Sequence, residues 1–458
     1  MIPPQSPPHG RGEQVTQSNS GELRRDLTLL DSTMINIGSM IGSGIFLVPA
    51  TIALYLQSSW LVILVWIIGG IVSLFGALSV AELGAMYPKA GGQYVYLREA
   101  FGQLWGFLYG WTGFMVIISA SISAVAVGFA TYLGYFVPLS AIEIKLVAIA
   151  SIVFLTVINC FGVKVGAIVQ NSFTFLKMGA LGALTILGFV LTPTSSGSVS
   201  NLASVCHPIS LSNIAGPIGL ALVSVLWSYD GWIEITYVAG EVRDPQRNLP
   251  RSLIFSTLFI IAMYVSINLA YMHVLPLDTI SKSELVASDA ATVILGSTGA
   301  AAVALAVMIS TFGCSNGFVL TGARIYYAMA KERLFFTSFE KVHPTFHTPL
   351  PSLVGQGTWA SLLVLTGTFD QLYTYVIFAS WIFYGMSAGA VFILRKKYPG
   401  IERPYKTWGY PFTPIVFILF SLYLVLNTLI EDPRDSIIGL GIILLGLPAF
   451  FYWTRKMK

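Results

Sequence analysis

Charge is the scarcest ingredient of this 458-residue sequence: Asp, Glu, Lys and Arg make up 10% of it, against 55% hydrophobic residues. A water-soluble protein carries about a quarter of its residues as charges. Too few are present here to coat a globule, so the soluble multidomain protein that the length alone suggests is excluded. Disorder needs low hydrophobicity and is excluded as well. Cysteine is almost missing. Cys160, Cys206 and Cys314 stand far apart with no CxxC pair, so neither a disulfide framework nor a zinc site is signalled. Histidine is equally sparse: His9 lies in a polar tail, and His207, His273, His343 and His347 fall at or near segment ends, not at ligand spacing in mid-span. No metal, cofactor or nucleic acid is called for.

What is present is a series of long apolar runs. Crossing about 30 Å of hydrocarbon takes about 20 apolar residues in a helix. That ruler predicts an all-α membrane protein of about twelve transmembrane helices, at 27–55, 59–86, 101–135, 142–161, 165–192, 213–240, 252–275, 297–328, 352–368, 372–394, 411–430 and 436–453. Residues 1–22, rich in Pro, Gly, Ser and Gln, read as a disordered cytoplasmic tail and not as a signal peptide. The loops test this count. Lys145, Lys282 and Arg434 are the basic residues of one set of loops, which is otherwise acidic, and Lys177 lies in mid-span; the other 21 of 25 fall in the tail, the opposite loops or helix ends. Cationic loops stay cytoplasmic, which supports twelve spans across the cell membrane with both termini cytoplasmic.

Two spans are interrupted. Asn36-Ile37-Gly38-Ser39-Met40-Ile41-Gly42-Ser43-Gly44 places three glycines near the middle of the first. Each costs about 1 kcal/mol relative to alanine in a helix, which favours unwinding. Gly38 and Gly42 alone fit a small-residue packing face; the Gly42-Ser43-Gly44 triplet does not. In the sixth span, Trp227-Ser228-Tyr229-Asp230-Gly231-Trp232 sets a carboxylate and a glycine in an apolar run, with Glu234 two residues on. A charge in mid-membrane faces protein or a water-filled cavity, not lipid. Matched interruptions five helices apart are the sequence mark of an inverted-repeat secondary transporter. Unwound spans present N–H groups that attract anions and C=O groups that attract cations. Two facing breaks therefore suit a zwitterion, an α-amino acid being the obvious one.

Lys177 lies about twelve residues from either end of the fifth span, roughly 18 Å along the axis, too far for full snorkelling. Two functions stay open: a proton carrier, or a permanently charged tether. Other polar residues are read more plainly. Glu82 suits a loop or cap contact, and Arg324 an interface position. Ser315 and Asn316 face a cavity or bond a neighbouring helix. Trp227, beside the second break, suits a gate.

These motifs resemble a known family. Gly42-Ser43-Gly44-Ile45-Phe46, the Glu82-Leu83-Gly84 to Pro88-Lys89-Ala90-Gly91-Gly92 block, Tyr229-Asp230-Gly231-Trp232 with Asn248-Leu249-Pro250, and Asn316-Gly317 with Thr321-Gly322-Ala323-Arg324 occur in the order found in the amino acid–polyamine–organocation superfamily. The chain most resembles its L-type amino acid transporter branch, especially bacterial serine/threonine and alanine/serine exchangers. The resemblance implies a five-plus-five inverted repeat like that of the sodium-coupled leucine transporter: 23–195, then 196–396, with two extra helices in 397–458. It implies that N–H groups around Gly42, Ser43 and Gly44 hold the substrate carboxylate, and that carbonyls of Met40, Trp227, Ser228 and Asp230 hold its ammonium. Trp227 would be the aromatic gate, and the Lys177 ammonium would take the place of sodium. Asn316 and Glu234 are secondary candidates.

The expected function is therefore sodium-independent transport of neutral amino acids by alternating access, as exchanger or facilitator. Proton-coupled uptake, including that of cationic amino acids, is the alternative; a membrane-embedded enzyme lacks a nucleophile paired with a base, and a channel would not saturate. Animal members carry a cysteine between spans three and four for an accessory glycoprotein. Residues 135–145 have none, so no disulfide-linked partner is expected and a monomer suffices. Animal members also often have glycine at Asp230, whose carboxylate is read here as organising the unwound loop, or else as shifting substrate preference.

Overall fold

The computed structural model describes residues 23–192, 201, 214–366 and 369–457. The tail over 1–22, and Cys206 and His207, lie outside the described residues. The described residues are mostly helical, and one β-bridge, Leu27 with Val242, is the only extended pairing among them.

In chain order the helices are α1 (Leu29–Met40), α2 (Gly44–Leu56), α3 (Ser59–Met86), α4 (Gln93–Phe101), α5 (Gln103–Thr112), α6 (Ile118–Leu133), α7 (Ala141–Cys160), α8 (Val163–Val190) and α9 (Ala215–Tyr229). Then follow α10 (Pro245–Val274), α11 (Leu277–Lys282), α12 (Val286–Leu295), α13 (Ser297–Lys331), α14 (Leu350–Thr366), α15 (Phe369–Lys397), α16 (Phe412–Glu431) and α17 (Pro433–Met457). A π-helical turn, Gly113–Ile117, joins α5 to α6 so that they run as one rod. Nine described helices are long and apolar enough to cross a membrane, and α1 with α2, bent by 41° at their junction, make a tenth. The protein is a multi-pass membrane protein. The expected spans at 213–240 and 352–368 correspond to shorter helices, α9 and α14.

The sixth span departs from the expected pattern. After Tyr229 the chain does not resume as an α-helix; it continues as turns and two 3₁₀ segments, Glu234–Thr236 and Ala239–Glu241, before α10 begins. Polar partners supplied from other helices replace the missing intrahelical bonds, as the Ile235 N–H shows by donating to Asn36 Oδ1 at 2.9 Å.

Burial sorts centre from rim. The α5–α6 rod has 78% of its most apolar window buried and α13 72%, whereas α17 has 11%. Around this centre, α1 packs on α8, α10 and α13, while α2 packs on α9. α1 is started by a capping box in which the Asp31 N–H donates to Thr28 Oγ1 and the Thr28 N–H to Asp31 Oδ2. The Lys164 ammonium, 2.7 Å from Asp31, ties that end to the start of α8.

Two charged residues are placed more tightly than sequence position suggests. Glu82 is buried and accepts from Arg395 Nε and Nη2 at 2.8 and 2.6 Å, and from the N–H and hydroxyl of Thr407. It is thus the loop contact expected. Arg324 corrects its reading as an interface residue. It is 0% exposed and clasps Glu241, also 0% exposed, with Nε and Nη2 at 2.7 and 3.1 Å, while Nη1 donates to the Leu320 carbonyl. A guanidinium fork with its carboxylate partner needs no route to water.

Candidate substrate site

The two interruptions meet. Gly231, at φ +104°, turns the chain after α9 so tightly that a Cβ there would stand 2.8 Å from the Ser39 carbonyl carbon and 2.9 Å from the Met40 nitrogen. Only glycine allows backbone to approach backbone in this way. Between the broken segments lies a small cavity of about 10 Å³, room for about one water molecule. Met40, Gly42, Ser43, Gly44, Trp227, Ser228 and Asp230 line it, joined by Ser39, Val125, Cys314 and Phe318. All seven residues expected at the site are thus brought together.

The backbone chemistry follows from the break. The N–H groups of Ser43, Gly44 and Ile45 precede the first bonded turn of α2, and no backbone carbonyl among the described residues accepts from them; the first internal bond is from Phe46 to Ser43. They form an anion-seeking helix start. The Ser43 hydroxyl, 1% exposed for the residue as a whole, has no hydrogen-bond partner among the described residues. On the other side, α1 ends in carbonyls that are already engaged. Lys177 Nζ donates to the carbonyls of Gly38 at 2.5 Å, Ile41 at 2.6 Å and Ser310 at 3.2 Å. The Ser310 hydroxyl donates to Ile41 and Gly42 carbonyls, and the Cys314 thiol to that of Ser39. Lys177, fully buried, is a crosslink between α8, the first break and α13.

Tyr264 is the residue that sequence reasoning missed. From α10 its hydroxyl lies 2.7 Å from the Met40 carbonyl and 3.0 Å from that of Ser228, bridging the two breaks. Its ring packs edge-on against Trp66 at 5.5 Å and at a tilt against Tyr229 at 5.1 Å. Because Met40 and Ser228 are two of the carbonyls expected to hold an ammonium, the phenol sets their spacing. In Tyr264→Phe the ring packing stays and the bridge goes. A hydrogen bond of this kind is worth about 0.5–1.5 kcal/mol, so initial transport rates are expected to fall up to about tenfold. An unchanged rate would reduce Tyr264 to a packing residue.

The remaining candidates divide. Asp230 accepts from the Tyr384 hydroxyl of α15 at 2.7 Å, so its carboxylate ties the second break to a neighbouring helix. Glu234 does not line the cavity; it accepts from the Thr321 hydroxyl. Asn316 also stands back from the cavity and links three helices, accepting from Asn159 at 2.8 Å and donating to Gln170 Oε1 at 2.9 Å and the Gly166 carbonyl. Of the two readings open for Asn316, the helix-bonding one holds.

This geometry fits what the chain resembles. Residues 27–448 match the amino acid permease family. The chain belongs to that family. The serine/threonine exchanger SteT of Bacillus subtilis is 35% identical over 95% of this chain and 98% of its own length. The b(0,+)-type amino acid transporter 1 of Mus musculus is 33% identical over 96% of this chain and 90% of its own, and the large neutral amino acids transporter small subunit 2 of Homo sapiens 32% over 99% and 86%. These relatives put this permease in the L-type branch, among transporters and not among enzymes. The membrane-enzyme reading falls.

Proposed function

We propose that this permease exchanges neutral amino acids across the cell membrane without sodium. One observation carries the sodium part: the three carbonyl oxygens of Gly38, Ile41 and Ser310, a hard-cation ligand set, are filled by the Lys177 ammonium. The N–H groups at Ser43 and Gly44 would take the substrate carboxylate, and the carbonyls of Met40, Trp227, Ser228 and Asp230 its ammonium. Val125, Phe318 and Cys314 would face the substrate side chain. The cavity must widen to admit even the smallest, and Trp227 is the gate we assign to that step. Asp230, held by Tyr384, organises the loop.

The architecture inferred with this function has twelve crossings and both termini in the cytoplasm. A first repeat covers 23–195 and an inverted second 196–396, with 397–458 supplying two further helices; rocking of one repeat against the other alternates access. The human relative is named a small subunit. This chain has no cysteine in the segment joining α6 to α7, which supports a transporter that works without a disulfide-linked partner.

Proteoliposomes provide the test. Internal unlabelled serine or alanine is expected to accelerate labelled uptake at least about tenfold, with choline in place of sodium making no difference. Uptake that needs no internal substrate and follows an inward proton gradient would overturn exchange in favour of proton coupling. Flux that does not saturate would indicate a channel.

A further inference from the structure

Where α13 and α17 end, a second cavity of about 430 Å³ shares no lining residue with the one between the broken helices. Its shape follows from the end of α13. Arg333 takes the left-handed conformation, φ +59°, and its N–H donates to the Ala330 carbonyl at 2.8 Å, which reverses the chain without a glycine. The reversal throws Phe335 and Phe336 back onto α17. Phe335 stacks on Trp453 with ring centroids 5.5 Å apart, and Phe336 meets the same indole edge-on at 5.4 Å.

Three chemistries meet in this cavity. Arg333 and Lys456 line it, and neither is ion-paired among the described residues; Lys456 lies 6.0 Å from the Tyr452 ring centre. Glu340 is its one acidic residue, and Thr337 and Ser338 add hydroxyls. The wall is aromatic and outward-facing, with Phe336 52% and Tyr452 60% exposed. That apolar surface continues up α17 through Phe451, Leu445 and Leu444, all more than half exposed, on the least buried of the described spans. Aromatic rings beside cations at a helix end mark the membrane–water boundary.

We propose that this cavity is a binding site for an anionic membrane phospholipid. Its phosphate would lie between Arg333 and Lys456, its glycerol against the ring of Phe336, and its acyl chains along the exposed face of α17. A soluble anion would use the two cations but leave the apolar extension without purpose. The charge balance favours an anionic headgroup over a zwitterionic one. The proposal is independent of which amino acid is carried.

Brominated lipids test it through Trp453 itself. The full-length protein is placed in phosphatidylcholine nanodiscs doped with chain-brominated phosphatidylglycerol or chain-brominated phosphatidylcholine. The Trp453 fluorescence is taken as the difference between wild type and Trp453→Phe. Each basic residue near the surface is expected to favour the anionic lipid about fivefold, so brominated phosphatidylglycerol should quench at a correspondingly lower mole fraction. The pair Arg333→Gln/Lys456→Gln should erase that preference with amino acid exchange unchanged, whereas Arg333→Lys/Lys456→Arg should keep it. Equal quenching by the two lipids, or a preference that survives in the glutamine pair, overturns the site. Relief of the preference by inorganic phosphate would reassign it to a free anion and overturn the lipid.

Discussion

Gly44→Val is expected to abolish amino acid binding while leaving a folded, detergent-stable protein. A Cβ at Gly44 would stand 2.5 Å from Ser228 Oγ and 3.0 Å from Ser228 Cα, which is backbone and cannot swing aside. Valine adds two methyl groups beyond that clash. The start of α2 would be driven from the end of α9, opening the gap across which the N–H and C=O groups must face one ligand. Overpacking of this kind costs about 1–3 kcal/mol or more. A helix start displaced by an ångström also no longer presents its N–H groups at hydrogen-bonding distance. We expect affinity for serine or alanine to drop more than about a hundredfold, the equivalent of losing two such bonds to a charged group. Equilibrium binding of labelled substrate in detergent measures it, with Gly44→Ala expected between valine and wild type. Affinity retained in the valine variant would mean that the first span is a packing helix whose break does not serve a ligand.

Lys177→Ala is the second large effect. It removes a buried ammonium and leaves the carbonyls of Gly38 and Ile41 short of their donor; the Ser310 hydroxyl still serves Ile41. Each buried polar group left unpaired costs about 1–3 kcal/mol. Alternating conformations differ by only a few kcal/mol, so a loss of that size at the hinge of α1 redistributes them. The exchange rate is expected to fall about a hundredfold, and unequally for the two directions of transport, because Lys177 stabilises the arrangement in which α1, α8 and α13 are joined. Measurement of initial rates from both faces of sided proteoliposomes separates this from simple instability, which would lower both alike. Unaltered kinetics would leave Lys177 as filler.

Much of this was legible in one dimension, for identifiable reasons. Hydropathy over twenty residues is a strong signal, so ten of the expected spans coincide with crossing helices to within a few residues at most ends. Lys177 and the Gly42-Ser43-Gly44 triplet stood out because each contradicts the helix around it. The failures have the opposite character. Arg324 sits within reach of a helix end, and that distance alone suggests snorkelling; its partner Glu241 is 83 residues away and invisible to any local window. Tyr264 lies in a 30-residue helix whose other aromatics pack or face lipid, and nothing in its neighbours reveals that its hydroxyl reaches two broken strands of backbone. The second half of the sixth span reads as helical by composition. It becomes 3₁₀ because Asn36, from a helix remote in sequence, offers a side-chain oxygen to the Ile235 N–H.

The Arg324–Glu241 clasp also bears on how much of the protein a cell keeps. Removing one member of a buried pair strands the other and costs about 3–5 kcal/mol, whereas replacing both with well-packed apolar groups is often tolerated. Single changes at either position would therefore be felt first in abundance, as chains that unfold more often and are degraded. A paired replacement would escape that surveillance. Either single change would lower the amount of transporter and leave the cycle of the surviving molecules intact.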